Sequence, residues 1–129
     1  MKPSDILSYT LVKACHHESY GKHKIYAVAT DKRGRILAEA GNSYCVSHPC
    51  QARYAKRAGN IHQIFLHAEI ALLVKLTRMR IPLDNVHIYV ARSNNKGEEM
   101  LAMCCPICYA ALTETGICPN NIHWTGSEA

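Results

Sequence analysis

Short strand patterns alternate with apolar helical segments in this 129-residue chain, and their order constrains its fold more than any other feature. Residues 24–30 (KIYAVAT) and 35–40 (RILAEA) each predict a strand, and the short glycine-containing turn between them predicts a hairpin. Further strands are predicted at 86–91 and 121–125, and a helical segment precedes each of them. We therefore predict an α/β fold in which one mixed β-sheet is covered by helices.

Three helical segments accompany these strands. The first starts near Ser4, and its residues Leu7, Leu11 and Ala14/Cys15 fall on one apolar face. The second runs from about residue 62 to residue 80 and is apolar around nearly its whole circumference, which predicts a buried helix. The third covers about residues 105–115 and ends at Gly116, a favourable C-cap.

The chain contains seven cysteines beside eight histidines, and its formal net charge is +5. An odd number of cysteines excludes a fully paired disulfide framework in a lone chain. We see no signal-peptide pattern and no run of about 20 apolar residues, so we expect a cytoplasmic protein with reduced thiols and no membrane partner. Clustered cysteines then indicate a metal site or catalysis. The length predicts a single domain over residues 1–129.

Two short motifs carry chemistry: His67-Ala68-Glu69 near the start of the second helical segment, and Cys105-Pro106-Ile107-Cys108 at the start of the third. The positive end of a helix favours thiolates, and cysteines at this spacing can face one ion. One histidine and two cysteines make three zinc ligands, which leaves a fourth position for water as in catalytic sites. Glu69 lies two residues after His67, so both reach one site only in the first turn of a helix.

These motifs resemble the zinc-dependent cytidine and deoxycytidylate deaminase superfamily, whose signature is H-x-E followed by P-C-x-x-C. The resemblance covers most of the chain and implies a cytidine deaminase-like fold with Zn²⁺ as its cofactor. The zinc ligands that it implies are His67, Cys105 and Cys108, and Glu69 is the implied general acid and base.

The resemblance also makes Asn42 and the backbone of Ala68 candidates for substrate binding. For Asn42 the alternative is a plain turn residue, because Gly-Asn-Ser is a common turn sequence.

The sequence departs from the family pattern in two places. Cys104 stands where the family has proline and competes with Cys105 as a ligand, although the Cys-x-x-Cys spacing and Pro106 favour Cys105. Four strands are predicted where the family usually has five. We therefore expect either a four-stranded sheet or a partner that completes the site, and we expect a homo-oligomer.

The implied function is hydrolytic deamination of a cytosine nucleotide or nucleoside, with release of ammonia and the uracil product. Zinc lowers the pKa of bound water to about 7, and Glu69 would carry the proton to the substrate's ring nitrogen. One alternative is deamination of cytosine or adenine in single-stranded nucleic acid or tRNA, with phosphates bound by the basic cluster Arg53, Lys56 and Arg57. A second alternative is a zinc- or nucleotide-binding module without turnover, and the intact Glu69 argues against it.

The remaining cysteines and histidines allow further interpretations. His48 and Cys50, with Cys45 and His62 nearby, either form a second, structural zinc site or line the long loop at 41–60. Cys15 and Cys118 are expected in the core.

Overall fold

The structure is a computed structural model, which describes residues 2–16, 24–42, 67–94, 96–102 and 106–126. The predicted helices and strands occur in it in the predicted order. The helices are α1 (Pro3–His16), α2 (Ala68–Arg78) and α3 (Pro106–Glu114), and a 3-10 turn covers Pro119–Asn121. The strands are β1 (Lys24–Thr30), β2 (Ile36–Gly41), β3 (His87–Ser93), β4 (Glu99–Met100) and β5 (Ile122–Trp124). Within these ranges, no helix has the length and apolar character needed to cross a bilayer.

Strands β1 and β2 form the predicted antiparallel hairpin. Its turn is held by Asp31, whose carboxylate accepts the backbone N–H groups of Arg33 and Arg35 at 2.9 and 3.0 Å. Gly34 takes a φ of +81°, which costs glycine little because it has no Cβ. Local turn chemistry therefore determines how these two strands pair.

Strand β3 organises the rest of the sheet. The described strands are ordered β2-β1-β3, and β3 carries both β4 and β5 on its second edge. Strand β4 pairs antiparallel with the end of β3, whereas β5 runs parallel to its first half, with Ile88 opposite Ile122. The parallel pair is connected through α3. The predicted mixed sheet covered by helices is confirmed.

Helices cover both faces of the sheet. Alternate residues of a strand point to opposite sides. Accordingly, Val28 and Tyr89 pack with Ile6 of α1, whereas Ala27 and Val90 belong to a larger core on the other face. The helical side chains of that larger core come from α2 and α3 and include Ile70, Leu72, Leu73, Leu76, Cys108, Ala111 and Leu112.

Helix α2 begins later than its apolar pattern predicts. The pattern indicated a start near residue 62, whereas His67 has extended backbone (φ −76°, ψ 152°) and the helix begins at Ala68. Residues 62–66 lie outside the described residues. Because the structure places His67 just before the helix, the H-x-E motif straddles the helix start.

The packing of α1 also differs from the prediction. Ala14 is buried as the predicted face requires, but the other fully buried positions are Ile6 and Thr10, whereas Leu7 and Leu11 are only partly buried. Burial of Thr10 is possible because its hydroxyl donates to the carbonyl of Ile6 at 2.7 Å. A polar residue that is satisfied within its own helix therefore occupies the centre of the buried face.

Two further expectations were wrong. Strand β4 was not predicted, so the described residues form five strands rather than four. Both of its residues are exposed and carry no alternating apolar pattern. Cys118, expected in the core, is exposed, and Cys15 is only partly buried.

Candidate metal and active site

The start of α2 presents the first motif. His67 is the N-cap residue, and its side chain makes no capping hydrogen bond within the described helix. Its backbone carbonyl accepts the N–H of Ala71 at 2.9 Å, the usual first bond of an α-helix. The imidazole ring therefore lies at the N-terminus of α2 and does not cap it.

The second motif meets the first at this point. Cys108 is fully buried on α3, and its Sγ lies 3.2 Å from Nδ1 of His67. These residues are 41 positions apart in the chain. The structure thus brings together two of the three predicted zinc ligands through the packing of α2 against α3.

Glu69 and Ala68 occupy the first turn of α2 beside this pair. Glu69 is 5% exposed and Ala68 is completely buried. A carboxylate is stabilised at the positive end of a helix. The backbone N–H of Ala68 precedes the first helical hydrogen bond and has no acceptor within the helix. A backbone donor and a buried acid therefore follow the histidine directly along the chain.

Asn42 lies at the end of β2 and is 7% exposed. Its backbone N–H donates to the carbonyl of Ile25 at 3.0 Å, and its Oδ1 accepts the N–H of Ile25 at 3.0 Å. The side chain therefore extends the β1–β2 pairing by one residue. A contact between Asn42 and substrate stays a prediction.

A hydrogen-bonded carboxylate anchors the same strand. Glu39 accepts the hydroxyls of Tyr9 and Tyr26, each at 2.7 Å, and lies 3.6 Å from Nζ of Lys13. Burial by itself raises the pKa of Glu39, but these hydrogen bonds and the Lys13 charge hold its pKa below the ordinary value. Burial, and then the bond to Glu39, raises the pKa of Tyr26. Lys75 of α2 donates to the backbone carbonyl of Glu39 at 2.7 Å. The network therefore links β2 to α1, which carries Tyr9 and Lys13, and to α2.

Two solved structures share this arrangement of helices and strands. The dCMP deaminase of cyanophage S-TIM5, in its apo form, is 21% identical with a TM-score of 0.56, and the match covers 91% of this chain and 80% of that one. A mutant cytidine deaminase from Mycobacterium tuberculosis is 18% identical with a TM-score of 0.55, over 96% of this chain and 85% of that one. The chain has the cytidine deaminase-like fold. No protein-family model and no curated protein matches its sequence.

In this cytidine deaminase-like fold, several predicted site residues fall outside the described residues. They are the ligand Cys105, its competitor Cys104, the possible second-zinc residues Cys45, His48, Cys50 and His62, and the basic cluster Arg53, Lys56 and Arg57. Within the part of the chain that the structure describes, no group of three or more histidine, cysteine or acidic side chains is placed to hold a metal. The predicted third ligand belongs to the segment that is not described.

The donors that are described fit zinc. An imidazole nitrogen and a thiolate sulfur that both ligate a tetrahedral zinc lie about 3.6 Å apart, given ordinary bond lengths. The observed separation of 3.2 Å between His67 Nδ1 and Cys108 Sγ is close to that value. A neutral imidazole and a thiolate are also the ligand types that zinc prefers. Small adjustment of either side chain would let both reach one ion.

Proposed function

We propose that this protein is a zinc-dependent hydrolytic deaminase of a cytosine nucleotide or nucleoside, which releases ammonia and the uracil product. One observation carries the proposal: Nδ1 of His67 lies 3.2 Å from Sγ of Cys108 on α3. Glu69 follows His67 by two residues, in the first turn of α2. The fold is shared with a dCMP deaminase and a cytidine deaminase, which supports this assignment.

The zinc would be held by His67, Cys108 and Cys105. When bound, it would supply a water molecule whose pKa is lowered to about 7 and which is therefore nucleophilic at neutral pH. Placement of Cys108 at the start of α3 helps this site, because the positive end of a helix stabilises a thiolate.

Glu69 would move the protons of the reaction. Its carboxylate would accept a proton from the attacking water and pass it to the ring nitrogen beside the amino-bearing carbon. A second transfer would protonate the amino group, which leaves as ammonia while the ring keeps the water oxygen. Burial of Glu69 keeps bulk water from competing for these transfers.

The neighbouring groups would orient the base. The N–H of Ala68 has no acceptor within the helix and lies between the histidine and the carboxylate along the chain, so it is suited to bind a polar edge of the ring. Asn42 would approach the sugar side of the substrate from the end of β2. Its bonds to Ile25 hold both its backbone N–H and its side-chain oxygen in place.

The test is an ammonia-release screen on cytosine and adenine compounds, from free base through nucleoside and nucleotide to oligonucleotide. Wild-type protein should release ammonia from a cytosine nucleotide or nucleoside. Glu69→Gln should lower turnover by at least about 100-fold, because a proton-transfer group typically contributes that much, and should keep its zinc. The matched control is Glu99→Gln, which removes an exposed carboxylate on β4 and should leave turnover unchanged.

Other outcomes would contradict the proposal. Ammonia release from oligonucleotides alone would indicate a nucleic-acid deaminase. Zinc binding without ammonia release from any compound would indicate a binding module. Turnover at the wild-type rate in Glu69→Gln would show that Glu69 is not the general acid and base.

A further inference from the structure

A partly buried arginine, Arg92, lies at the end of the sheet where Asn42 pairs with the start of β1. Arg92 is near the end of β3, opposite Ile25 of β1 and Met100 of β4. Its backbone N–H donates to the hydroxyl of Thr125 at 3.2 Å. Strands on both sides therefore hold its backbone in a rigid position.

The side chain of Arg92 is on the face that carries α2 and α3. Ile88 and Val90, at alternate positions of the same strand, belong to the core on that face. Ile25, its direct neighbour on β1, packs against the same core. Because Asn42 is bonded to Ile25, the order across this end of the sheet is Asn42, Ile25, Arg92, and the outer two backbones are about 10 Å apart at ordinary strand spacing.

The guanidinium of Arg92 lacks a counter-charge among the described residues. Its Nε is shielded from solvent and has no hydrogen-bond partner in the described part of the chain. The described ion pairs, Lys13–Glu39 and Arg35–Asp31, do not include it. Arginine stays protonated in proteins, and an N–H of a charged group that is shielded from water without a hydrogen-bond partner is costly. This arrangement is expected where a ligand supplies the anion.

We propose that Arg92 binds the 5′-phosphate of the substrate, so that the enzyme prefers cytosine nucleoside monophosphates to nucleosides. The proposal rests on the deaminase function proposed above. A guanidinium offers two parallel N–H donors that match phosphate oxygens. Because Arg92 stands on an interior strand rather than on a loop, its donors are oriented before the ligand arrives, which favours specific binding.

Kinetics on a matched pair of substrates test this assignment. Arg92→Met should lower kcat/KM for dCMP by roughly 10- to 100-fold, the value of a charge-assisted hydrogen bond, and leave kcat/KM for deoxycytidine within about twofold. Arg92→Lys keeps the charge but loses the paired N–H donors of the guanidinium, so its kcat/KM for dCMP should lie between those of wild type and Arg92→Met. The control is Arg78→Met, which removes an exposed arginine at the end of α2 and should change neither value.

A binding measurement separates failure of this proposal from failure of the deaminase function. On zinc-loaded protein, calorimetry should show that Arg92→Met weakens dUMP but not deoxyuridine. If wild-type protein released no ammonia while this selective loss of dUMP binding held, the deaminase function would be wrong and the phosphate site would stand.

Three results would overturn the proposal. One is an unchanged ratio of dCMP to deoxycytidine activity in Arg92→Met. Another is an equal loss on both substrates with reduced zinc content, which would place Arg92 beside the metal ligands. The third is a wild-type protein that binds dUMP and deoxyuridine equally. If Arg92→Met does not fold, the same comparisons are made with Arg92→Lys, which should still weaken dUMP selectively.

Discussion

Removal of the Tyr26 hydroxyl tests how β2 is held beside the candidate site. Tyr26 donates to Glu39 at 2.7 Å, and Tyr26→Phe would leave Glu39 with Tyr9 and Lys13 as described partners. Hydrogen bonds to charged groups contribute about 1.5–3 kcal/mol. Because the Glu39 side chain is 26% exposed, the lower value applies. Tyr26→Phe should reduce the free energy of unfolding by about 1.5 kcal/mol at neutral pH.

This loss should depend on pH, because the hydrogen bond is strong only while Glu39 is ionised. The pKa of Glu39 is lower in the folded protein than in the unfolded chain. Its contribution to stability is therefore complete above the ordinary glutamate pKa of about 4.3 and disappears as the pH falls through the lower folded-state value. The difference between wild type and Tyr26→Phe should therefore shrink as the pH falls below about 4.3 and through the lower folded-state value.

The assay is urea unfolding followed by circular dichroism at neutral and acidic pH. The control is Tyr109→Phe, which removes the same hydroxyl from a side chain that is 46% exposed on α3 and should change stability by less than about 0.5 kcal/mol. A Tyr26→Phe deficit that is equal at both pH values, or no larger than that of the control, would refute the reasoning.

Three further changes have definite expected outcomes. Burial, and then the charge of His87, lowers the pKa of His123, so the folded state favours the neutral imidazole. The free energy of unfolding should therefore fall as the pH drops below about 6.5. His123→Gln should reduce this dependence of stability on pH, as measured by urea unfolding. A Cβ at Gly126 would lie 2.6 Å from Cα of Leu101 at a φ of +75°, so Gly126→Ala should cost about 1–3 kcal/mol, read as a lower Tm. Leu72→Ala, at a fully buried position of α2, should lower the free energy of unfolding by about 2–5 kcal/mol in urea.

Features that depend on local chemistry were predictable from the sequence. The β1–β2 hairpin follows from a turn in which Asp31 and Gly34 stabilise the chain reversal. The end of α3 follows from Gly116, which takes a φ of +111° just after the helix. The meeting of His67 with Cys108 was expected because both belong to motifs at helix starts.

Features that depend on packing between distant segments were not predictable. The apolar run before His67 has helical spacing, so periodicity alone could not locate the start of α2. Strand β4 has two exposed residues and is held by its pairing with β3 and by the hydroxyl of Thr125, which donates to the carbonyl of Met100 at 2.9 Å. The shielded Nε of Arg92 was not predictable either, because an arginine in a strand ordinarily predicts an exposed side chain.

The zinc K-edge X-ray absorption spectrum of the purified protein tests the central claim most directly, namely that His67 and Cys108 belong to one metal centre. We predict one zinc per chain, with a nitrogen ligand at about 2.0–2.1 Å and two sulfur ligands at about 2.3 Å. Cys108→Ser should lose one sulfur ligand, whereas Cys118→Ser, at an exposed position, should leave the spectrum unchanged. A zinc without sulfur ligands, or a spectrum that Cys108→Ser does not alter, would contradict the account.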